Sequence, residues 1–319
     1  MFTHNPLSLD NPVRDAVSRW IQKQSWKEVR ETYLELLCHA HASIRFLGVG
    51  HYKDLQDQPI KKLFVDPYTS SQRISPDTPT DMWPETTALL ELLSSEKKLV
   101  LLGDAGSGKS TLVSWIVWNL ARSGDNKWKQ VLNHRIPFVM VLREMSLDQV
   151  RSWDDLLASY FKQSTARHLG QPRYAAYVSA LLESGQAMII LDGLDEVGNL
   201  KIQENLRLAV WEGIRRYKEC GWLLTSRVIG YLDYHEGADH ETQGVGVIPI
   251  FSYAQLRYVA PFAEHQIKKF AQNWFTTRDH SASRASEDAN RLEEAIHTNP
   301  HTLRLARIEV DPREPTTDS

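Results

Sequence analysis

Residues 103–111 have the composition and spacing of a phosphate-binding loop. They read Gly-Asp-Ala-Gly-Ser-Gly-Lys-Ser-Thr, and they follow an apolar run at residues 99–102 and precede a stretch of helical character. The glycines let the backbone curl so that its N–H groups point toward an anion, and the following helix adds partial positive charge at its N-terminus. Lys109 is expected to reach the β- and γ-phosphates of a nucleotide, and Ser110 is expected to bind Mg²⁺. The residues predicted to line this loop are Gly103, Asp104, Ala105, Gly106, Ser107, Gly108, Lys109, Ser110 and Thr111.

A group of acidic residues follows a second apolar run further along the chain. Residues 188–191 read Met-Ile-Ile-Leu, and this absence of alternation is typical of a strand buried on both faces. Asp192 ends the run, where parallel sheets place their ligands, so we expect it to bind Mg²⁺ directly or through water. Asp195 and Glu196 follow, and one of the two would activate or orient the attacking water. The two motifs in this order are much more specific than either one alone.

Arg227 ends a third apolar run, which reads Trp-Leu-Leu-Thr-Ser-Arg at residues 222–227. Because this run follows the acidic strand, we expect Arg227 to contact the γ-phosphate and to report its presence. The alternative is a surface arginine that caps a helix or pairs with Asp233.

The composition narrows the classes of protein to which the chain belongs. The 319 residues include 37 Lys and Arg against 40 Asp and Glu, which argues against an extended basic surface for nucleic acid or an anionic membrane. Two cysteines far apart in the sequence argue against a disulfide framework and favour a reducing compartment. No apolar run approaches the roughly 20 residues that span a bilayer, and the N-terminus does not resemble a secretory signal. We therefore expect a cytoplasmic protein without membrane contacts.

Apolar patterns predict strands that alternate with helices, which implies right-handed crossovers and a mainly parallel sheet. The phosphate loop, Asp192 and Arg227 would then meet at one edge of that sheet. The predicted helices cover residues 12–47, 86–93, 109–122, 152–163, 172–184, 200–219 and 263–275, and the predicted strands cover residues 59–65, 98–102, 136–142, 187–192, 222–227 and 256–260.

The three motifs together resemble the NACHT domain of the STAND class of P-loop signalling NTPases, in its bacterial form. The acidic motif carries most of this resemblance, because a small residue follows Asp192 and a second acidic pair follows at Asp195 and Glu196. AAA+ ATPases and helicases more often place Glu directly after that first Asp. Residues 263–275 resemble the first helix of the small helical domain that follows NACHT cores. Asn299 and Pro300 resemble an Asn-Pro motif whose proline lies near the adenine.

The resemblance implies an α/β fold of the P-loop NTPase type, with a mainly parallel five-stranded sheet flanked by helices. In that sheet the strand before Arg227 lies between the phosphate-loop strand and the acidic strand. The resemblance also implies binding of ATP or ADP with Mg²⁺, slow ATP hydrolysis, an ADP-locked resting state and nucleotide-controlled self-association through the nucleotide domain. Defence signalling is the pathway that it suggests.

The composition and the resemblance together divide the chain into five parts. These are a mostly helical N-terminal segment (1–65), a proline-rich linker (66–84), the NACHT core (85–260), a small helical domain (261–306) and a disordered tail (307–319). Family members usually continue into a winged-helix domain and a large sensor region. We therefore expect a C-terminally truncated chain, a fragment, or a partner of a second chain. The winged-helix residue that contacts the β-phosphate of ADP would then be missing. The sequence therefore does not decide whether this chain has the ADP-locked resting state.

Two other functions remain open from the sequence. A mechanochemical ATPase of AAA+ type would turn over rapidly in the presence of a polymer substrate, but Asp192 is followed by glycine and no basic stripe is visible. A non-hydrolysing module would bind nucleotide only as a structural ligand and would act as a scaffold. Intact binding without turnover would distinguish this scaffold from an ATPase.

Overall fold

The computed structural model describes residues 12–44, 58–75, 77–162, 172–197, 199–228 and 256–277, together with Tyr231 and Asn290. For residues 12–25, 172 and 173 it describes the backbone alone. Residues 278–289 and 291–319 lie outside this range, so the predicted tail, most of the small helical domain, and Asn299 and Pro300 are not described.

The described strands are β1 (Ser43–Ile44), β2 (Gln58–Pro59), β3 (Tyr68–Ser70), β4 (Thr86–Ala88), β5 (Lys98–Leu102), β6 (Ile136–Val141), β7 (Ala187–Asp192), β8 (Gly221–Ser226) and β9 (Leu256–Val259). Seven of them form the central sheet, in the spatial order β4-β3-β9-β5-β8-β7-β6. The two others, β1 and β2, pair with each other in a separate antiparallel ribbon.

Five neighbouring strands of this sheet, from β9 to β6, are parallel. They confirm the predicted mainly parallel sheet, and β8 lies between β5 and β7 as expected. The sheet has seven strands rather than five, because β3 pairs antiparallel with β9 and β4 pairs antiparallel with β3. Both additional strands come from the chain before the phosphate loop.

The described helices are α1 (Pro12–Ala40), α2 (Ile60–Leu63), α3 (Leu89–Ser95), α4 (Lys109–Ala121), α5 (Lys127–Val131), α6 (Trp153–Lys162), α7 (Pro172–Glu183), α8 (Leu200–Arg216) and α9 (Glu264–Thr277). The helix after the phosphate loop, α4, contacts β6, β7 and the long N-terminal helix α1, and α1 also contacts α7. The helices α6 and α8 contact each other.

Every residue of β7 and β8 is buried, which agrees with the apolar runs that predicted these strands. Apart from the main hydrophobic core, a smaller apolar cluster joins Leu63 of α2 to Ala271, Trp274 and Phe275 of α9. Within the described part of the chain, no helix is both long enough and apolar enough to cross a bilayer.

Three predictions of local structure before the phosphate loop were wrong. The expected strand at 59–65 is mostly the short helix α2, whose buried residues Ile60 and Leu63 are spaced for one helical face. The expected helix at 86–93 begins only at Leu89, because Thr86–Ala88 pairs with β3. The helix predicted to reach residue 47 ends at Ala40 and is followed by β1. Within the range predicted as a linker, Tyr68–Ser70 forms a strand of the main sheet.

Candidate functional site

The phosphate loop begins where β5 ends and is attached to the neighbouring strand β8. The Gly103 N–H donates to the carbonyl of Ser226 (3.2 Å), and the Ser107 N–H closes the loop on the carbonyl of Asp104 (3.1 Å). A Cβ on Gly103 would lie 2.4 Å from the Ser107 Oγ, so the Ser107 side chain would have to move to admit any other residue there. Gly108, which precedes α4, has a φ of 83°, a conformation that favours glycine.

Lys109 lies within this loop and has its ammonium group close to the acidic motif. Its Nζ donates to the carbonyls of Gly103 (2.7 Å) and Asp104 (2.9 Å) and to the Ser107 Oγ (3.3 Å). Burial lowers the pKa of Lys109, Arg227 acts in the same direction, and Asp195, Asp192 and Asp104 act against it. A cation that is partly desolvated in this way is stabilised by an anionic ligand.

Asp192 lies at the end of β7, and its carboxylate is fixed by the neighbouring strand. Its Oδ1 accepts a hydrogen bond of 2.5 Å from the Thr225 Oγ1, and the same hydroxyl accepts one of 3.0 Å from the Gly193 N–H. Both side chains are buried. Thr225 therefore fixes the orientation of the carboxylate and of the peptide that follows it.

Asp195 and Arg227 form a pair that joins the acidic motif to the end of β8. The Arg227 N–H donates to the Asp195 Oδ1 (2.7 Å), and the Arg227 Nε lies 3.2 Å from the Asp195 Oδ2. The Asp195 side chain is 7% exposed and that of Arg227 is 52% exposed. Both oxygens of Asp195 thus have a partner in the same residue.

Glu196 has a different partner, Arg143, from the turn after β6. The Arg143 Nη1 lies 3.2 Å from the Glu196 Oε2 and 3.9 Å from the Asp192 Oδ2. The Glu196 side chain is 30% exposed, more than that of Asp195. One arginine therefore reaches both the Glu196 and Asp192 carboxylates.

The structure brings together most of the residues that the sequence singled out. The phosphate loop, Lys109, Asp192, Asp195, Glu196 and Arg227 lie at the carboxyl ends of β5, β7 and β8, and Ser110 and Thr111 lie in the first turn of α4. Arg227 pairs with Asp195; Asp233 lies outside the described residues, as does Pro300. The roles of these residues, and of Ala105 and Gly106 within the loop, remain predictions.

The sequence alone assigned no role to Arg143, Thr225 or Arg73. Thr225 lies in the predicted strand at residues 222–227. Because this strand was expected beside the acidic strand, the contact between the Thr225 hydroxyl and Asp192 could have been predicted from the sequence. Arg73 pairs with Asp104, and nothing in the sequence around Arg73 indicated this contact.

The residues present fit a nucleotide with Mg²⁺. Gly106 and Gly108 both have a left-handed backbone with open space where a Cβ would lie, which gives the kind of loop that backbone N–H groups need to surround a phosphate. A serine hydroxyl in the first turn of α4 and a fixed carboxylate at the end of β7 are oxygen ligands of the type that Mg²⁺ prefers.

Comparison with known proteins adds the following findings. The family model described as NACHT domain matches residues 97–278, more than half of the chain. No curated protein matches the chain. Among solved structures 26 chains match. One of them is the Walker-type ATPase PABY2304 of Pyrococcus abyssi, with 16% identity and a TM-score of 0.39 over 66% of this chain. The match spans 60% of that ATPase, so this chain covers less than two thirds of its length.

Proposed function

The chain belongs to the NACHT family of P-loop NTPases, and from this premise we propose that it is a nucleotide-controlled switch that binds ATP or ADP with Mg²⁺ and hydrolyses ATP slowly. One observation carries the proposal. Lys109 lies in a glycine loop beside the carboxylates of Asp192 and Asp195, so a phosphate-binding cation and metal-binding oxygens share one edge of a parallel sheet.

We assign the binding of the phosphates to Lys109 and to the N–H groups of the loop and of the first turn of α4. The N–H groups at the start of a helix have no partner within it, so they are available to a phosphate. The Ser110 hydroxyl and the Asp192 carboxylate are the ligands that we propose for Mg²⁺. When bound, this ion would neutralise part of the charge on the β- and γ-phosphates.

We assign the positioning of the attacking water to Glu196 rather than to Asp195. The two oxygens of the more buried Asp195 are both engaged by Arg227, whereas the partly exposed Glu196 has a contact to Arg143 through one oxygen. Asp195 would then hold Arg227 beside the phosphate loop, and Arg227 would contact the γ-phosphate.

The contact of Glu196 supports slow turnover. Its side chain already forms an ion pair with Arg143, so this pair must be released or shifted before Glu196 acts on a water. A switch benefits from slow hydrolysis because the nucleotide state then persists long enough to be read by a partner. We further propose nucleotide-controlled self-association and a role in defence signalling, for which membership of the family is the support.

The first test is the nucleotide that the purified chain carries. The protein would be denatured, and the released nucleotide would be identified and quantified, followed by measurement of ATP turnover with Mg²⁺. We expect close to one ADP per chain and slow turnover. Bound nucleotide without turnover would instead favour the non-hydrolysing scaffold.

Lys109→Ala gives the matching mutational test. Loss of a charge-assisted contact to phosphate should weaken ATP and ADP binding about 100-fold. Lys97→Ala is the control, because Lys97 is an exposed lysine next to the start of β5 that pairs with Glu219 at 2.9 Å. Near-normal nucleotide affinity in Lys109→Ala would rule out the phosphate-loop assignment.

A further inference from the structure

The phosphate loop contains one carboxylate, and its position is electrostatically unfavourable for the ligand proposed above. Asp104 is the only acidic residue among residues 103–111. Its side chain is about half exposed, and its charge is close enough to Lys109 to oppose the lowering of the Lys109 pKa. A negative charge at this position would repel the phosphates that the loop is built to hold.

Arg73 lies against this carboxylate. The Arg73 Nη2 lies 3.0 Å from the Asp104 Oδ1 and 2.9 Å from the Asp104 Oδ2, so one nitrogen contacts both oxygens. Arg73 lies outside the region that matches the NACHT model. It therefore adds a positive charge to the loop from a part of the chain that the family match does not include.

The backbone on both sides of Arg73 is held in place. Tyr68–Ser70 is β3 of the main sheet, and the Ser70 Oγ accepts a hydrogen bond from the Gln72 N–H (3.2 Å). On the other side, Ile74 is buried. Arg73 is thus presented to the loop by β3, which joins the sheet next to β9, the neighbour of β5.

An exposed ion pair usually contributes little to stability. Lys97 and Glu219 form such an exposed pair in this protein, at 2.9 Å. The Arg73–Asp104 pair differs because of what else Asp104 contacts. The Asp104 carbonyl accepts the Lys109 Nζ at 2.9 Å, so one residue links Arg73 to the phosphate-binding lysine. A change in the position or charge of Asp104 acts directly on the phosphate site.

We propose that Arg73 is a positioning residue for nucleotide binding: it neutralises Asp104 and holds the phosphate loop in the conformation that accepts phosphates. This inference rests on the proposed function, because it concerns the same site. It extends that site to residues 68–75, which precede the matched family region.

The test is a double-mutant cycle on the affinity of the full-length chain for ADP with Mg²⁺, measured by titration calorimetry. Arg73→Ala should weaken ADP binding about fivefold to tenfold at low ionic strength, and added salt should reduce this effect. Asp104→Asn should bind ADP more tightly than the wild type. In the Asp104→Asn background, Arg73→Ala should weaken binding less than it does in the wild type, because the ion pair through which Arg73 holds the loop is already absent. Arg73→Lys should retain most of the wild-type affinity.

Two measurements separate this role from a purely structural one. Lys97→Ala removes a comparable exposed pair, so it is the control for affinity, and Arg73→Ala should match its melting temperature when no nucleotide is present. The inference is overturned if Arg73→Ala binds ADP as tightly as Lys97→Ala does. It is also overturned if the loss of affinity persists undiminished in the Asp104→Asn background. If the wild type and Lys109→Ala both lack nucleotide binding, the proposed function and this inference are both wrong. If the wild type binds ADP but the Arg73 and Asp104 variants have the same ADP affinity as the wild type, this inference alone is wrong.

Discussion

Asp195 and Glu196 are adjacent in the sequence, yet their carboxylates have different surroundings. Asp195 is buried against the backbone and side chain of Arg227, while Glu196 is more exposed and faces Arg143. From the sequence, either residue was a candidate for handling water, because both follow Asp192 within one turn of chain. Their arginine partners, which lie just after β6 and β8, are the basis on which we propose different roles for the two residues.

Glu196→Gln and Asp195→Asn should therefore have different effects. Glu196→Gln keeps the shape of the side chain but removes the base, so ATP binding should persist while kcat falls about 100-fold. Asp195→Asn removes the charge that holds Arg227, so it should lower the melting temperature and have a smaller effect on kcat. The check is to measure ATP affinity, kcat and thermal unfolding on both variants. Unchanged turnover in both would remove both residues from water handling.

Thr225 offers a test of how the acidic strand is fixed. Thr225→Val has nearly the same shape but leaves the Asp192 Oδ1 and the Gly193 N–H without their buried hydroxyl partner. We expect a loss of about 1–3 kcal/mol in the free energy of unfolding and a higher Mg²⁺ concentration for half-maximal nucleotide binding. Thr225→Ser retains the hydroxyl and should restore the Mg²⁺ dependence. If Thr225→Ser behaves like Thr225→Val, the hydroxyl is not the determinant.

At the scale of elements, burial determines which strands could be predicted from the sequence. Strands β5, β7 and β8 are buried on both faces, so their apolar runs are continuous and predict them directly. Strands β3 and β4 have three residues each and lie in a region rich in Pro, Ser and Thr, so their pattern resembles a linker. The place of β3 in the sheet depends on pairing with β9, a partner far away in the sequence, and β4 joins the sheet through β3.

The packing of α8 against α6 gives a prediction about stability. A Cβ on Gly213 of α8 would lie 2.3 Å from the Cε3 of Trp153, whose ring is fully buried. Although alanine is the better helix former by about 1 kcal/mol, we expect Gly213→Ala to destabilise the fold by a net ~1–3 kcal/mol, because the rigid ring has to move. Leu208→Ala, at an exposed position of the same helix, is the control for chemical denaturation. Equal stability of Gly213→Ala and the wild type would show that Trp153 has free space beside it.

At the scale of the whole molecule, the segment before the phosphate loop is packed on the nucleotide-binding core. The Tyr33 hydroxyl of α1 donates to the carbonyl of Pro137 (2.9 Å), and its buried ring packs edge-on against Tyr177 of α7. Phe64 stacks on Trp115 of α4 at 4.3 Å between ring centroids. The sequence predicted the helix that contains Tyr33, but hydrophobic periodicity alone does not identify the surface against which a helix packs.

These contacts predict that the region matching the NACHT model is not an independent folding unit. A variant that begins at residue 58 would lose α1 and uncover apolar surface on α4 and α7. A variant that begins at residue 97 would also lose β3 and β4 and leave β9 as an unpaired edge of the sheet. We expect the melting temperature to fall in two steps, by about 5 °C or more at each, with aggregation of the shorter variant. Both variants would be measured by thermal unfolding and size-exclusion chromatography. Tyr33→Phe in the full chain, which removes only the hydrogen bond to the Pro137 carbonyl, gives a milder perturbation for comparison. A variant starting at residue 97 that stays monodisperse and melts like the full chain would show that α1, β3 and β4 only lie on the core without stabilising it.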